Sequence, residues 1–89
     1  MEERKQMILV FESRQDGSRY RRPLQRLRER YGDFHIKSGT LHDGRIRVCM
    51  NRVCRDTVAV RRDLGNLARS LSSSAEWTAV QLAVCSIGR

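Results

Sequence analysis

Among 89 residues there is one proline, Pro23, one tryptophan, Trp77, and only two lysines, Lys5 and Lys37. The longest uninterrupted apolar run is "MILVF", Met7 to Phe11, far short of the ~20 residues a membrane-spanning helix needs. No basic-then-apolar leader precedes it, so the sequence predicts a cytoplasmic chain without a membrane partner. Cysteine is sparse and odd in number, Cys49, Cys54 and Cys85. That count excludes a closed disulfide framework and fits a reducing compartment. Cys49 and Cys54 lack the matching second pair that a structural zinc site uses, and only Cys85, His35 and His42 could complete one. No metal or other cofactor is expected from them.

What is abundant is arginine. Of 18 basic residues 16 are Arg, set against 10 acidic ones, which leaves a net charge of +8. Arginine forms bidentate forks to phosphate and carboxylate that lysine cannot form. The balance points to a polyanionic partner, either nucleic acid or an acidic protein surface. The length allows one domain with one small core.

Hydrophobic periodicity divides the chain into six elements. Residues 6–12, "QMILVFE", read as a strand buried on both faces. After the Asp-Gly turn, "RYRRPLQRLRERYG" places Tyr20, Leu24, Leu27 and Tyr31 on one helical stripe, with Pro23 tolerated near the start and Gly32 as the stop. "DFHIKS" and "RIRVCM" alternate around the turn "GTLHDG" and predict a β-hairpin. Asp56 or Thr57 can cap a second helix with the stripe Val60, Leu64, Leu67, Leu71. "WTAVQLAVCSI" then alternates Val80, Leu82 and Val84 toward the core. The order β-α-β-β-α-β predicts an α+β, ferredoxin-like domain over residues 1–89, a four-stranded antiparallel sheet with two helices on one face.

On that frame His35, Lys37, Arg45 and Arg47 fall together on the sheet face away from the helices. Arg19, Arg22, Arg26 and Arg30 form a second basic patch along the first helix, by i, i+3/i+4 spacing, partly offset by Glu29. Both are candidate phosphate-binding or partner-binding surfaces. The aromatic signature with which sheet faces of this kind stack bases is absent from "GRIRVCMN", so base readout of that type is not expected. Glu12 and Asp16, at the tip of the first strand, are the candidate catalytic pair: two carboxylates there could hold a divalent ion for phosphodiester hydrolysis. No Ser-His-Asp set, Cys-His set or phosphate-binding P-loop is present. The balance therefore favours binding over catalysis.

The segment 7–40, with "LVFE", "SRYRRPLQRLRERYG" and "DFHIKS" in order and Ser38 six residues after Gly32, resembles the small CRISPR spacer-acquisition endonucleases and the related VapD-type toxin ribonucleases. The resemblance implies a homodimer that binds duplex nucleic acid across a basic surface. Glu12 stands where that family has its metal-binding Asp, and "FHI" replaces its Arg-Val-Gln. Those departures put nuclease activity in doubt. Three expectations result: a basic nucleic-acid-binding protein, a viral- or phage-type inhibitor meeting an acidic protein surface, and a divalent-metal nuclease. The edge of the last strand, with Trp77 and small apolar residues, is a candidate dimer contact.

Overall fold

The computed structural model describes residues 4–55 and 58–86. It is an α+β fold, a four-stranded antiparallel sheet with two helices. The elements are β1 (Arg4–Ser13), a 3₁₀ turn (Gly17–Arg19), α1 (Arg21–Arg30), β2 (His35–Thr40), β3 (Ile46–Arg55), α2 (Val58–Ser72) and β4 (Trp77–Ser86). The strands lie in the order β2-β3-β1-β4. β1, which holds the longest apolar run, is interior to the sheet, and Leu9 through Ser13 are all buried. The expected caps of the second helix, Asp56 and Thr57, lie outside the described residues.

One face of the sheet carries the core. Across β1 and β3, Leu9 pairs with Met50 and Phe11 with Val48. All four are fully buried, and they join Met7, Tyr20, Leu27, Tyr31, Phe34, Leu71 and Trp77 in one cluster. Both helical stripes are used as their spacing predicts. Tyr20, Leu27 and Tyr31 are buried, Leu24 is partly so, and Val60, Leu64 and Leu67 pack beside buried Leu71. Tyr20 also meets Trp77 edge to face, 5.1 Å between centroids, and its hydroxyl donates to the Glu76 carbonyl at 2.8 Å. That places the start of α1 against the start of β4, joining segments 56 residues apart.

Four expectations are corrected. α1 ends without a left-handed glycine: Gly44 alone has positive φ among the described residues, and Tyr31 closes the helix through its N–H to the Leu27 carbonyl. β3 runs on to Arg55, beyond the "RIRVCM" that the alternation predicts, and Cys54 is a buried core residue. Its polar letters hid it: Arg52 sits over the Phe34 ring at 5.3 Å and pairs with Asp33, which lets a charged side chain occupy the rim of the core face. In β4 the register with β1 shifts between Val10 and Phe11. Trp77 and Ala79 meet the core on one side of the shift and Val84, as expected, on the other, while Val80 and Leu82 stay 48% and 39% exposed. Arg19 belongs to the 3₁₀ turn and not to α1.

The two Asp-Gly turns pack on each other. Gly17 donates its N–H to the Gly44 carbonyl at 2.8 Å, and a Cβ on Gly17 would run into the Ile46 side chain. Gly44 takes φ 87°, and a Cβ there would lie 2.5 Å from the Asp16 carboxylate. Buried Ser13 locks the same corner, accepting from the Ile46 N–H at 2.9 Å while its hydroxyl donates to the Gln15 carbonyl. Arg14, on the other side, donates to the carbonyls of Ser72 and Ser74, where α2 ends and its C-terminal dipole favours a cation.

Candidate functional site

Glu12 ends β1 on the face away from the core, and β3 brings Arg47 directly opposite it. Both Arg47 Nε and Nη2 donate to Glu12 Oε2, at 3.0 and 2.6 Å. Arg45 lies in the turn before β3, where its Nη1 reaches Glu12 Oε1 at 3.3 Å and its Nε donates to Asp43 at 2.6 Å. The Glu12 side chain is only 12% exposed, so the carboxylate is wrapped by two guanidiniums. Hydrogen bonds from Arg45 hold the Asp43 carboxyl below its usual range, and Asp43, with Glu12, raises the Arg45 guanidinium further.

His35 and Lys37 are exposed on the same face, but His35 pairs with Asn51 and Lys37 with Cys49, while Arg47 lies opposite Gly39. The expected row of four cations is thus broken. Arg45, Arg47 and Lys37 supply three positive charges, Glu12 and Asp43 take back two, and one remains. Nothing in the sequence announces this cancellation, because it depends on the register that sets Glu12 against Arg47.

The two candidate catalytic carboxylates have separate tasks. Glu12 serves the arginines. Asp16 caps the 3₁₀ turn, accepting from the Ser18 N–H at 2.9 Å, and hydrogen bonding from Ser18 lowers its pKa. Among the described residues no three His, Cys, Asp or Glu side chains converge as metal ligands. A divalent ion at Glu12 would have to displace both guanidiniums. Cys49 and Cys85 lie on the face away from the core and are half-buried.

The α1 patch is different. Residues 19–30 contain six arginines and one glutamate, 6 − 1 = +5, well over half of the chain's net +8. All six arginines are exposed. Arg26 makes a loose 3.6 Å pair with Glu76, and Arg30 lies over the Tyr31 ring. Arg19, Arg21, Arg22 and Arg28 make no ion pair or side-chain hydrogen bond among the described residues. Arg22 and Arg26 flank a shallow groove with Gln25 and Glu29.

The way α1 begins is costly. Tyr20 at its N-cap makes no side-chain cap, and the first turn has no acidic residue. Arg21 and Arg22 occupy that turn instead, with Arg19 just before. The N-terminus of a helix carries about half a positive charge, so cations there are unfavourable and anions are bound. Helical spacing marks Arg22 and passes over Arg21. The signal was present in "SRYRRP", where an N-cap residue and a first-turn acid would ordinarily stand.

A second surface lies where α1, α2 and the start of β4 meet. Buried Pro23, Leu27, Tyr31, Leu71 and Trp77 line a cleft of about 220 Å³, with Arg26, Arg30 and Glu76 around it. Compared with known protein families, characterised proteins and solved structures, the chain matches none.

Proposed function

We propose that this protein binds the phosphate backbone of a nucleic acid, and that the principal contact is the arginine ridge at the start of α1 rather than the sheet face. The observation that carries this is the uncapped first turn. Three arginines, Arg19, Arg21 and Arg22, stand at the positive end of a helix with no carboxylate to offset them. A bound phosphate supplies the missing charge, accepting from the first-turn N–H groups and the guanidinium forks together. Arg26 extends the ridge by one turn, and Arg30 by two. Lys37 and His35 are a minor, peripheral contribution. The element order and the strand order β2-β3-β1-β4 support reading the frame as ferredoxin-like, with α1 as an outer layer free to meet a duplex.

Such binding is independent of sequence and sensitive to salt. It calls for no catalysis, since Glu12 is committed to Arg45 and Arg47. Fluorescence anisotropy of labelled duplex DNA, duplex RNA and single strands at low salt tests the reading. Saturable binding of at least one of them is expected. No binding to any would end it.

The cleft favours one second reading, an acidic protein partner. Its apolar lining next to Arg26 and Arg30 suits a segment with a buried apolar side chain beside carboxylates. A stoichiometric protein complex that survives nuclease treatment, from a chain that fails to bind nucleic acid, would select it.

A further inference from the structure

β4 ends the sheet order, and no strand pairs with its outer edge among the described residues. It is ten residues long and its sequence, "WTAVQLAVCS", holds no charged residue, proline or glycine. Edge strands are ordinarily shielded by shortness, lysine, proline or a bulge. β2, the other edge, follows that rule: it has six residues and contains Lys37, His35 and Gly39. In β4 the register shift is confined to the Trp77 end, and Gln81 to Ser86 pair regularly with β1. The bulge therefore leaves the second half of the edge open.

A second observation lies in the same strand. Val80 and Leu82 are 48% and 39% exposed. Leu82 stands opposite fully buried Leu9 yet is outside the core cluster. More than a third of its surface stays open to solvent, on the strand that ends the sheet.

The strand that fits this edge must be uncharged and must bring apolar side chains to meet Val80 and Leu82. β2 and β3 carry lysine or arginines, and β1 is interior. β4 itself meets the requirement, and an antiparallel strand is complementary to its own copy about a two-fold axis. We infer that the protein forms a symmetric dimer by antiparallel pairing of β4 with β4 of a second copy, extending the sheet from four strands to eight. The inference does not rest on nucleic-acid binding, and either can fail without the other.

Sedimentation velocity of the full chain across the micromolar range, in high salt, is the test. High salt screens the +8 charge of each copy and strips off nucleic acid. Wild type is expected at twice 10.4 kDa. Leu82→Lys and, separately, Val80→Lys place like charges on both paired strands and are expected at the single-chain mass with the circular-dichroism spectrum of a folded chain and a melting temperature that no longer depends on concentration. Val53→Lys, at a 57% exposed site on β3 away from this edge, is expected to remain dimeric. A wild type that stays monomeric at the highest concentration overturns the inference. So does a dimer that survives both β4 substitutions, or one that Val53→Lys dissociates. Should Leu82→Lys fail to fold, the more exposed Val80→Lys gives the same reading.

Discussion

Replacing Arg21 and Arg22 with glutamate should make the protein more stable while weakening the proposed binding to nucleic acid. In the structure both side chains sit in the first turn of α1, exposed, with no side-chain cap and no acid nearby in the turn. A charge of the wrong sign at a helix N-terminus costs about 0.3–1 kcal/mol at low ionic strength, and the opposite charge contributes a similar amount. A glutamate at 22 also gains Arg26 four residues on, in the favourable orientation, for roughly 0.3–0.5 kcal/mol. Partial overlap of these terms leaves about 1–2 kcal/mol for the double substitution. For a domain of this size ~1 kcal/mol corresponds to about 4–8 °C. Thermal melts followed by circular dichroism should therefore rise by roughly 5–15 °C in low salt. In ~1 M salt, where the Debye length is about 3 Å, most of the gain should vanish. An unchanged or lower melting temperature in low salt would refute the claim that α1 is held in an electrostatically unfavourable state for the sake of an anion.

Glu12→Gln should destabilise the protein by about 1–2 kcal/mol, because it leaves Arg47 and Arg45 without their carboxylate, though both are exposed enough to regain water. It should retain nucleic-acid binding, and anisotropy with and without magnesium checks that. Gly17→Ala should cost about 1–3 kcal/mol by overpacking against Ile46, and the loss should be smaller in an Ile46→Ala background, read by urea melts of the double-mutant cycle. The Asp16 and Asp43 carboxyls are held below their ordinary value of 3.8, Asp16 by hydrogen bonds from Ser18 and Asp43 by Arg45. A depressed folded-state pKa contributes stability that is present above the ordinary value and lost as the pH falls through the lower, folded one. The paired turns should therefore loosen only below that value, and amide exchange of Ser18 and Arg45 across the acid range should show it.

Much of this architecture was legible from spacing. Tyr20, Leu24, Leu27 and Tyr31 recur at helical intervals because one face of α1 meets the core, and every one of them packs there. The failures have local causes. The alternation in "WTAVQLAVCS" is genuine, and Val84 keeps it, but the register shift changes its phase at the Trp77 end, where Trp77 and Ala79 face the core, and no composition signal marks a bulge. "NRVCR" does not read as a strand since Arg52 is accommodated by Phe34 and Asp33, partners that come from another strand's approach. Charge was the least legible property. Arg45 and Arg47 looked equivalent to the helix arginines in sequence, and only the pairing of β1 with β3 shows that Glu12 consumes them. The sheet patch and the α1 patch were both legible as basic, but which of them keeps its charge is a tertiary fact.

The most direct test of the α1 ridge is the salt dependence of duplex binding, compared between two variants. On a logarithmic plot each neutralised phosphate contributes about −0.9 to the slope for duplex DNA. Arg19→Ala with Arg22→Ala and Arg26→Ala should weaken binding at every salt concentration and reduce the slope by roughly 2–3. Arg45→Ala with Arg47→Ala should leave the slope within about one contact of wild type. The reverse result, a slope that collapses with the sheet arginines and survives loss of those on α1, would contradict the account.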